Sequence, residues 1–345
     1  MSREPVTRQR LLDMMVTVRK TFILKAAVEL GVFDALTPGP AGAAAVAGRI
    51  GADPRATRIL LNGLAATGLV DVGEDGRYAP AEGADRLLVT TSPDYYGDAL
   101  RLAASDYEWD ALRRLADAVR KGGTVMEENA ESPDFAFWLD FAELSTRNTQ
   151  PIADAIAERT VAWAGSRDSL RVLDVACGHG MYGFTIARHD PRAHVSCLDW
   201  PHVLPVTLRN AERLGVAGRV ARIPGDMFEA PLDGPYDLIM VNNVLHHLSH
   251  ERTVELLRRM AGALAPDGRL VTVAITCGDK PPADDPNPHL FSVLMLAWTH
   301  GGEVPDAAAM SAAIGEAGFA VAEEFQLPHN PLRVFIAGRA PATGG

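Results

Sequence analysis

The segment Arg171–Gly180, reading Arg-Val-Leu-Asp-Val-Ala-Cys-Gly-His-Gly, holds residue types and spacing suited to binding a nucleoside. An apolar run delivers Asp174 to a glycine turn, and a helix is predicted from Met181. Gly178 and Gly180 lack the Cβ atoms that would keep a ligand off the turn backbone. A second apolar run, Ala193–Leu198, ends in Asp199, twenty-five residues beyond Asp174. An acid at the tip of the second strand is where a ribose presents its two hydroxyls. A glycine turn alone is a weak signal; turn, spacing and acid together make a nucleoside site.

Elements must carry these residues to one place. From Arg171 the chain alternates, with strands expected at 171–175, 193–198, 219–223, 236–241, 268–275 and 333–338. Helices are expected at 181–188, 202–214, 251–264 and 306–317. That alternation predicts an α/β, doubly wound, mostly parallel Rossmann-like sheet, with the ligand outside the carboxyl ends of the strands. Upstream, Gln9–Leu30 has helical spacing of Leu11, Met14, Met15, Val18, Phe22, Ala26 and Leu30. This stripe serves either a local core or a dimerisation face. Helices at Ala43–Ile50 and Arg55–Thr67, then a hairpin at 69–79, form the winged-helix order. Residues 95–165 read as entirely helical, with one helix over Asp106–Val119 and another starting at Ser132.

Composition narrows the function. The chain has 345 residues, which favours two domains over one core. Its net charge of −11 repels a phosphate backbone, and the second winged helix offers only Arg55 and Arg58, so no nucleic-acid partner is expected. No segment has the roughly twenty unbroken apolar residues of a membrane span. Met1–Pro5 carries no signal core, which implies a cytoplasmic protein without a membrane partner. Cys177, Cys197 and Cys277 lack any disulfide or zinc spacing.

The chain resembles the class I S-adenosylmethionine-dependent methyltransferases. The closer likeness is to small-molecule O-methyltransferases with an N-terminal winged-helix dimerisation domain. It is carried by Asp174–Gly180, Leu198–Val203, Gly225–Phe228, Asn243–His247 and Pro266–Arg269. The resemblance implies three regions: an N-terminal helical and winged-helix dimerisation domain (1–95), a helical linker and acceptor-pocket segment (96–165), and a Rossmann-like catalytic domain (166–345). It also implies a homodimer and a small-molecule, secondary-metabolite acceptor. Cofactor contacts fall to Asp174, Gly178, Gly180, Tyr182, Asp199, Trp200, Asp226, Met227, Asn242 and Asn243. In that scheme Asp226 takes the adenine amino group, Met227 packs on the purine, and Trp200 stacks or attracts the sulfonium.

The resemblance makes His246 the catalytic base and His247 its neighbouring substitute, since an imidazole titrates near neutrality. The acceptor pocket is assigned to Phe137, Trp138, Phe141, Met295 and Trp298, with Leu290–Trp298 as an apolar helix. Two departures stand out. Alanine occupies position 274, where the family carries an acid, and Glu303 is one place out of register beside Val304. A base without its orienting acid loses control of tautomer and geometry. The alternatives are therefore transfer to carbon or nitrogen, a cyclase or hydroxylase that does not methylate, or internal displacement releasing methylthioadenosine. A regulator whose pocket only senses the cofactor is a noncatalytic alternative. His246, His250, His289 and His300 could serve a metal, but solvated histidines are the expectation and no metal is assigned.

Overall fold

A computed structural model describes residues 5–328 and 330–341, so Met1–Glu4, on which the targeting expectation rests, lie outside the described residues. The chain divides into two compact units, one ending at Asp106 and one starting at Tyr107.

The first unit opens with the helix Arg8–Glu29, capped by Thr7, whose Oγ1 accepts the Arg10 N–H at 3.2 Å. Only Ala27 and Val28 of this helix are buried, while Met14 and Met15 are 66% and 70% exposed. Its apolar stripe is therefore not local core over most of its length. Helices Ala43–Ile50 and Pro54–Ala66 follow, the second capped by Asp53 with Pro54 in its first turn. The strands β1 (Val70–Val72) and β2 (Tyr78–Pro80) pair antiparallel and complete the winged-helix order. Phe33, Leu36, Val46, Leu61 and Leu64 form the core, with Val70 and Tyr78 closing it.

The second unit is built on seven strands: β3 (Leu170–Val175), β4 (Ala193–Asp199), β5 (Val220–Pro224), β6 (Tyr236–Asn242), β7 (Leu264–Ile275), β8 (Phe319–Gln326) and β9 (Leu332–Arg339). Their order is β5-β4-β3-β6-β7-β9-β8. Pairings from β5 through β7 are parallel, and β9 runs antiparallel to both neighbours. Alternate residues of the inner strands serve opposite faces. Val172, Leu238 and Met240 join one core, while Leu173, Ile239 and Val241 join the other. Covering both faces explains why these strands read as unbroken apolar runs. The chain order reverses beside β3, which sets a crevice at the carboxyl ends of β3, β4 and β6.

Three expectations about elements need correction. Residues 95–165 are not entirely helical, since no helix covers 122–136. The helix over Asp106–Val119 is two pieces, Asp106–Arg113 and Leu115–Lys121, and the one placed from Ser132 begins at Phe137 and ends at Leu144. Strand β8 went unread: Phe-Ala-Val-Ala-Glu-Glu-Phe-Gln has glutamates where an inner strand carries apolar residues. It lies at the sheet edge, where charge is tolerated and blunts further pairing.

Candidate active site

Each strand end delivers one acid or amide to the crevice. Asp174 sits on β3, fully buried, and its Oδ2 accepts the Gly183 N–H at 3.1 Å. Burial pushes its carboxyl up to about 7, with the nearby Asp199 charge adding to the rise against the Gly183 bond. Asp199 ends β4, and its two oxygens accept the backbone N–H groups of Gly178 and Trp200, each at 2.7 Å. Burial pushes it up to about 6 in spite of those bonds. A carboxylate has about four lone-pair sites, so each oxygen of Asp199 keeps capacity for a further donor.

The turn between β3 and the helix Met181–His189 is held from outside. Thr207 Oγ1 donates to the Gly178 carbonyl at 2.6 Å, and Asn210 Nδ2 donates to the His179 carbonyl at 3.0 Å. Gly178 has φ +53° with nothing within 4 Å of a Cβ position, whereas a Cβ on Gly180 would lie 2.2 Å from the Phe184 ring. The two glycines therefore do different work: one leaves room on the open side of the turn, and the other makes room for the Phe184 ring of the helix it caps.

At the end of β6, Asn243 takes the left-handed conformation at φ 55°, and its Nδ2 donates to Tyr182 Oη at 2.9 Å. The neighbouring Asn242 is buried, yet neither atom of its amide has a partner among the described residues.

These groups share one cavity of about 430 Å³, within the usual range for small-molecule sites. Asp174, Gly178, Tyr182, Asp199, Trp200, Asp226, Met227, Asn242 and Asn243 all line it, as do Trp138, Phe141 and His247. Asp226 Oδ1 is partly engaged by the Phe228 N–H at 2.8 Å.

Five expected site residues lie elsewhere. Gly180 abuts Phe184, and Met295 is fully buried. Phe137 and Trp298 pack edge to face with ring centres 4.7 Å apart, in a cluster with Tyr107 and Phe135. His246 does not line the cavity; it stands beside the His247 ring at 4.4 Å and the Phe291 ring at 5.2 Å. Helical spacing alone does not say which of four clustered aromatics turn inward.

Neither imidazole has the acid that would steer it. Nδ1 of both His246 and His247 is buried without a partner among the described residues. Burial lowers His246 to about 4, and burial together with the neighbouring His246 charge holds His247 well below its ordinary value. Ala274 and Val304 are buried apolar residues, while Glu303 is exposed. His250 pairs with Glu316, His289 lies 3.7 Å from Cys277 Sγ, and His300 pairs with Glu131. No group of three metal-binding side chains occurs among the described residues.

The sequence reading missed His179, Glu131 and Arg252, and named His300 only as one of four histidines open to a metal; all four line the cavity. His179 sits within the glycine turn. Its Nδ1 accepts the Met181 N–H at 3.0 Å, so its proton lies on Nε2, facing Thr149 Oγ1 at 3.1 Å. That position in the motif was a usable signal. Glu131 and His300 meet across 169 positions, and nothing local foretells that contact.

The profile of the O-methyltransferase domain matches residues 114–320, and that of the O-methyltransferase dimerisation domain matches residues 12–90. The chain belongs to the O-methyltransferase family.

The methyltransferase is 29% identical over 300 residues to the 3-hydroxy-5-methyl-1-naphthoate 3-O-methyltransferase of Streptomyces sahachiroi, covering 84% of each chain. It is 31% identical over 354 residues to the acetylserotonin O-methyltransferase of Mus musculus molossinus, covering 97% of this chain and 89% of that one. The solved structure of a candidate O-methyltransferase from Nostoc punctiforme superposes with a TM-score of 0.88 at 29% identity. That likeness covers 96% of this chain and 99% of the other. The protein is thus an S-adenosylmethionine-dependent small-molecule O-methyltransferase. The residues present fit that donor: the open face at Gly178, the spare lone pairs of Asp199 and the orphaned amide of Asn242 line the same cavity. Among the described residues no helix is long and apolar enough to cross a membrane.

Proposed function

We propose that the methyltransferase O-methylates a flat aromatic secondary metabolite held between Trp138, Phe141 and His247. The observation that carries this reading is that those rings and Asp199 line the same cavity. Relatives named for naphthoate and acetylserotonin substrates support an aromatic acceptor. Trp138 meets the His247 ring edge-on at 5.1 Å, so the two rings stand side by side on the cavity wall.

In this reading Asp199 receives the ribose hydroxyls, Asp226 and Met227 hold the adenine, and Gly178 gives the backbone close approach. Asp174, Asn242, Asn243, Tyr182 and Trp200 complete the donor's enclosure. The donor supplies a methyl group already activated by its sulfonium. The protein's part is to align the acceptor oxygen in line with that methyl and to keep water out. His247, on the cavity wall, contacts the acceptor oxygen; His246 backs it. The exposed stripe of the helix Arg8–Glu29 is covered by a second copy of the chain, which accords with the dimerisation-domain match. Three free cysteines suit a cytoplasmic protein.

The test is product analysis by mass after incubation with S-adenosylmethionine, with and without a panel of hydroxyarenes. S-adenosylhomocysteine and a methylated product are expected only when an acceptor is present. Methylthioadenosine released without an acceptor would sink the proposal in favour of internal displacement.

A further inference from the structure

Three imidazoles line the cavity, those of His179, His247 and His300, and their surroundings differ. A general base needs a ring nitrogen with a free lone pair. It also needs a partner that holds that tautomer and stabilises the charged ring. His179 has the opposite tautomer: its Nδ1 accepts the Met181 N–H, so its proton sits on Nε2, facing Thr149 Oγ1. Burial also holds its ring at about 4. His247 is held well below its ordinary value by burial and by His246, and its Nδ1 has no partner among the described residues. Neither ring is set up to take a proton.

His300 differs on each count. Glu131 Oε1 accepts its backbone N–H at 2.6 Å, and Oε2 lies 3.0 Å from its ring Nδ1. A carboxylate only accepts, so Nδ1 carries the proton and the neutral ring presents its lone pair at Nε2. Among the described residues that Nε2 has no hydrogen-bond partner. The side chain is 60% exposed, so an imidazolium formed there has water to receive its proton.

The backbone fixes this pair beside the acceptor wall. The Ala130 N–H donates to the Trp298 carbonyl at 3.1 Å and the Thr124 N–H to the Thr299 carbonyl at 2.7 Å, which joins segments 124–131 and 298–302. The Ala130 carbonyl accepts the Trp138 Nε1–H at 3.1 Å, so Glu131 directly follows the residue that anchors Trp138. A Cβ on Gly302 would lie 2.6 Å from the His246 carbonyl oxygen, and one on Gly301 would lie 3.0 Å from Ser249 Cβ. The loop carrying His300 is thus packed on the segment carrying His247.

Resting on the O-methylation reading above, we propose that His300 is the base that takes the acceptor's hydroxyl proton, with Glu131 as its positioning residue. The proton passes from the acceptor O–H to His300 Nε2, and Glu131 stabilises the imidazolium that forms. The oxygen's freed pair forms the O–C bond to the methyl as the donor's C–S bond breaks. That bonding pair stays on sulfur, which leaves as a neutral thioether. The imidazolium then releases its proton to bulk water. His247 stays neutral throughout and orients the acceptor oxygen. The acid absent at Ala274 and Val304 is supplied by Glu131, and it serves a different histidine.

The first test reads the ring tautomer, by NMR of the histidine nitrogens in the full-length protein with S-adenosylhomocysteine. The His300 signals are identified by their loss in His300→Gln. Neutral His300 is expected to carry its proton on Nδ1, and to shift it mostly to Nε2 in Glu131→Ala. A proton on Nε2 in the parent protein would overturn the proposal.

Turnover with S-adenosylmethionine gives a second readout, on naphthol and para-nitrophenol at mildly alkaline pH, where the first is neutral and the second ionised. His300→Gln should lower kcat for naphthol by about a hundredfold to ten-thousandfold, the usual contribution of a general base. Glu131→Gln should lower it by about tenfold or more. Both variants should turn over para-nitrophenol within about threefold of the parent, because no proton has to be removed. Their affinity for S-adenosylhomocysteine should also stay within about threefold. Full naphthol turnover in His300→Gln would overturn the proposal, as would equal losses on both acceptors, which mark a merely structural role. Failure of methyl transfer itself shows separately, as absence of S-adenosylhomocysteine from every acceptor, and the ring tautomer then still decides the pair.

Discussion

In the reading proposed above, one side chain, Asp199, holds the turn and also serves the ligand. Its oxygens brace Gly178 and Trp200, and the residue lines the cavity. Charged hydrogen bonds contribute about 1.5–3 kcal/mol each. Asp199→Asn should therefore weaken S-adenosylhomocysteine binding by about tenfold to a hundredfold, measured by titration calorimetry. The ribose hydroxyls favour the ionised form, while burial has raised the free carboxyl to about 6. The sign follows: protonation competes with the ligand, so affinity is level above about pH 6 and falls on acidification below it. Affinity that rises as pH drops from seven to five would remove Asp199 as the ribose acceptor. Asp199 was legible in the sequence because its place depends on local order, strand then acid. His247 was legible only as half of a pair, since which ring turns to the cavity depends on Trp138 and Phe291, far away in the chain.

At the scale of elements, the glycine turn separates two demands that the motif writes in the same letter. Gly178 and Gly180 both have positive φ, so alanine at either costs about 1–2 kcal/mol in backbone strain. Gly180→Ala adds a clash with Phe184 of the following helix, and overpacking of this kind costs a further 1–3 kcal/mol or so. Its melting temperature should fall by roughly 5–10 °C. Gly178→Ala meets no atom of the protein and should lower the melting point far less. Its Cβ enters the cavity, so donor affinity should fall by about tenfold or more. Thermal denaturation with and without S-adenosylhomocysteine separates the two. Equal effects of both substitutions on stability would mean that Gly178 does not face an open cavity. Elements with a strong period were readable in advance: β3, β4, β6 and β7 carry apolar runs because both sheet faces are covered. Strand β8 was not readable, because an edge strand lacks that burial and its glutamates mimic a helix surface.

At the scale of the whole molecule, the apolar stripe on the first helix is the feature a single chain leaves unsatisfied. Met14 and Met15 contribute nothing to the core of their unit, being mostly exposed. Met14→Glu combined with Met15→Glu should leave folding within roughly 1 kcal/mol of the parent, as surface changes usually do. The same pair should convert a dimer to a monomer by light scattering, because two buried charges in an apolar interface cost more than the interface returns. A double variant that stays dimeric would move the interface away from this stripe.

The sequence by itself determined the alternation of strands and helices, the glycine turn, and the acids that end β4 and follow β5. Each of these depends on periodicity or on neighbours within a few residues, which a linear chain displays. Tertiary structure decided which of the clustered aromatics lines the cavity, which histidine faces it, and how His300 captures Glu131 across 169 positions. It also decided which backbone N–H groups Asp174, Asp199 and Asp226 brace on that wall. Side-chain orientation and hydrogen-bond pairing arise between elements distant in the chain, and packing selects them only when the sheet has closed.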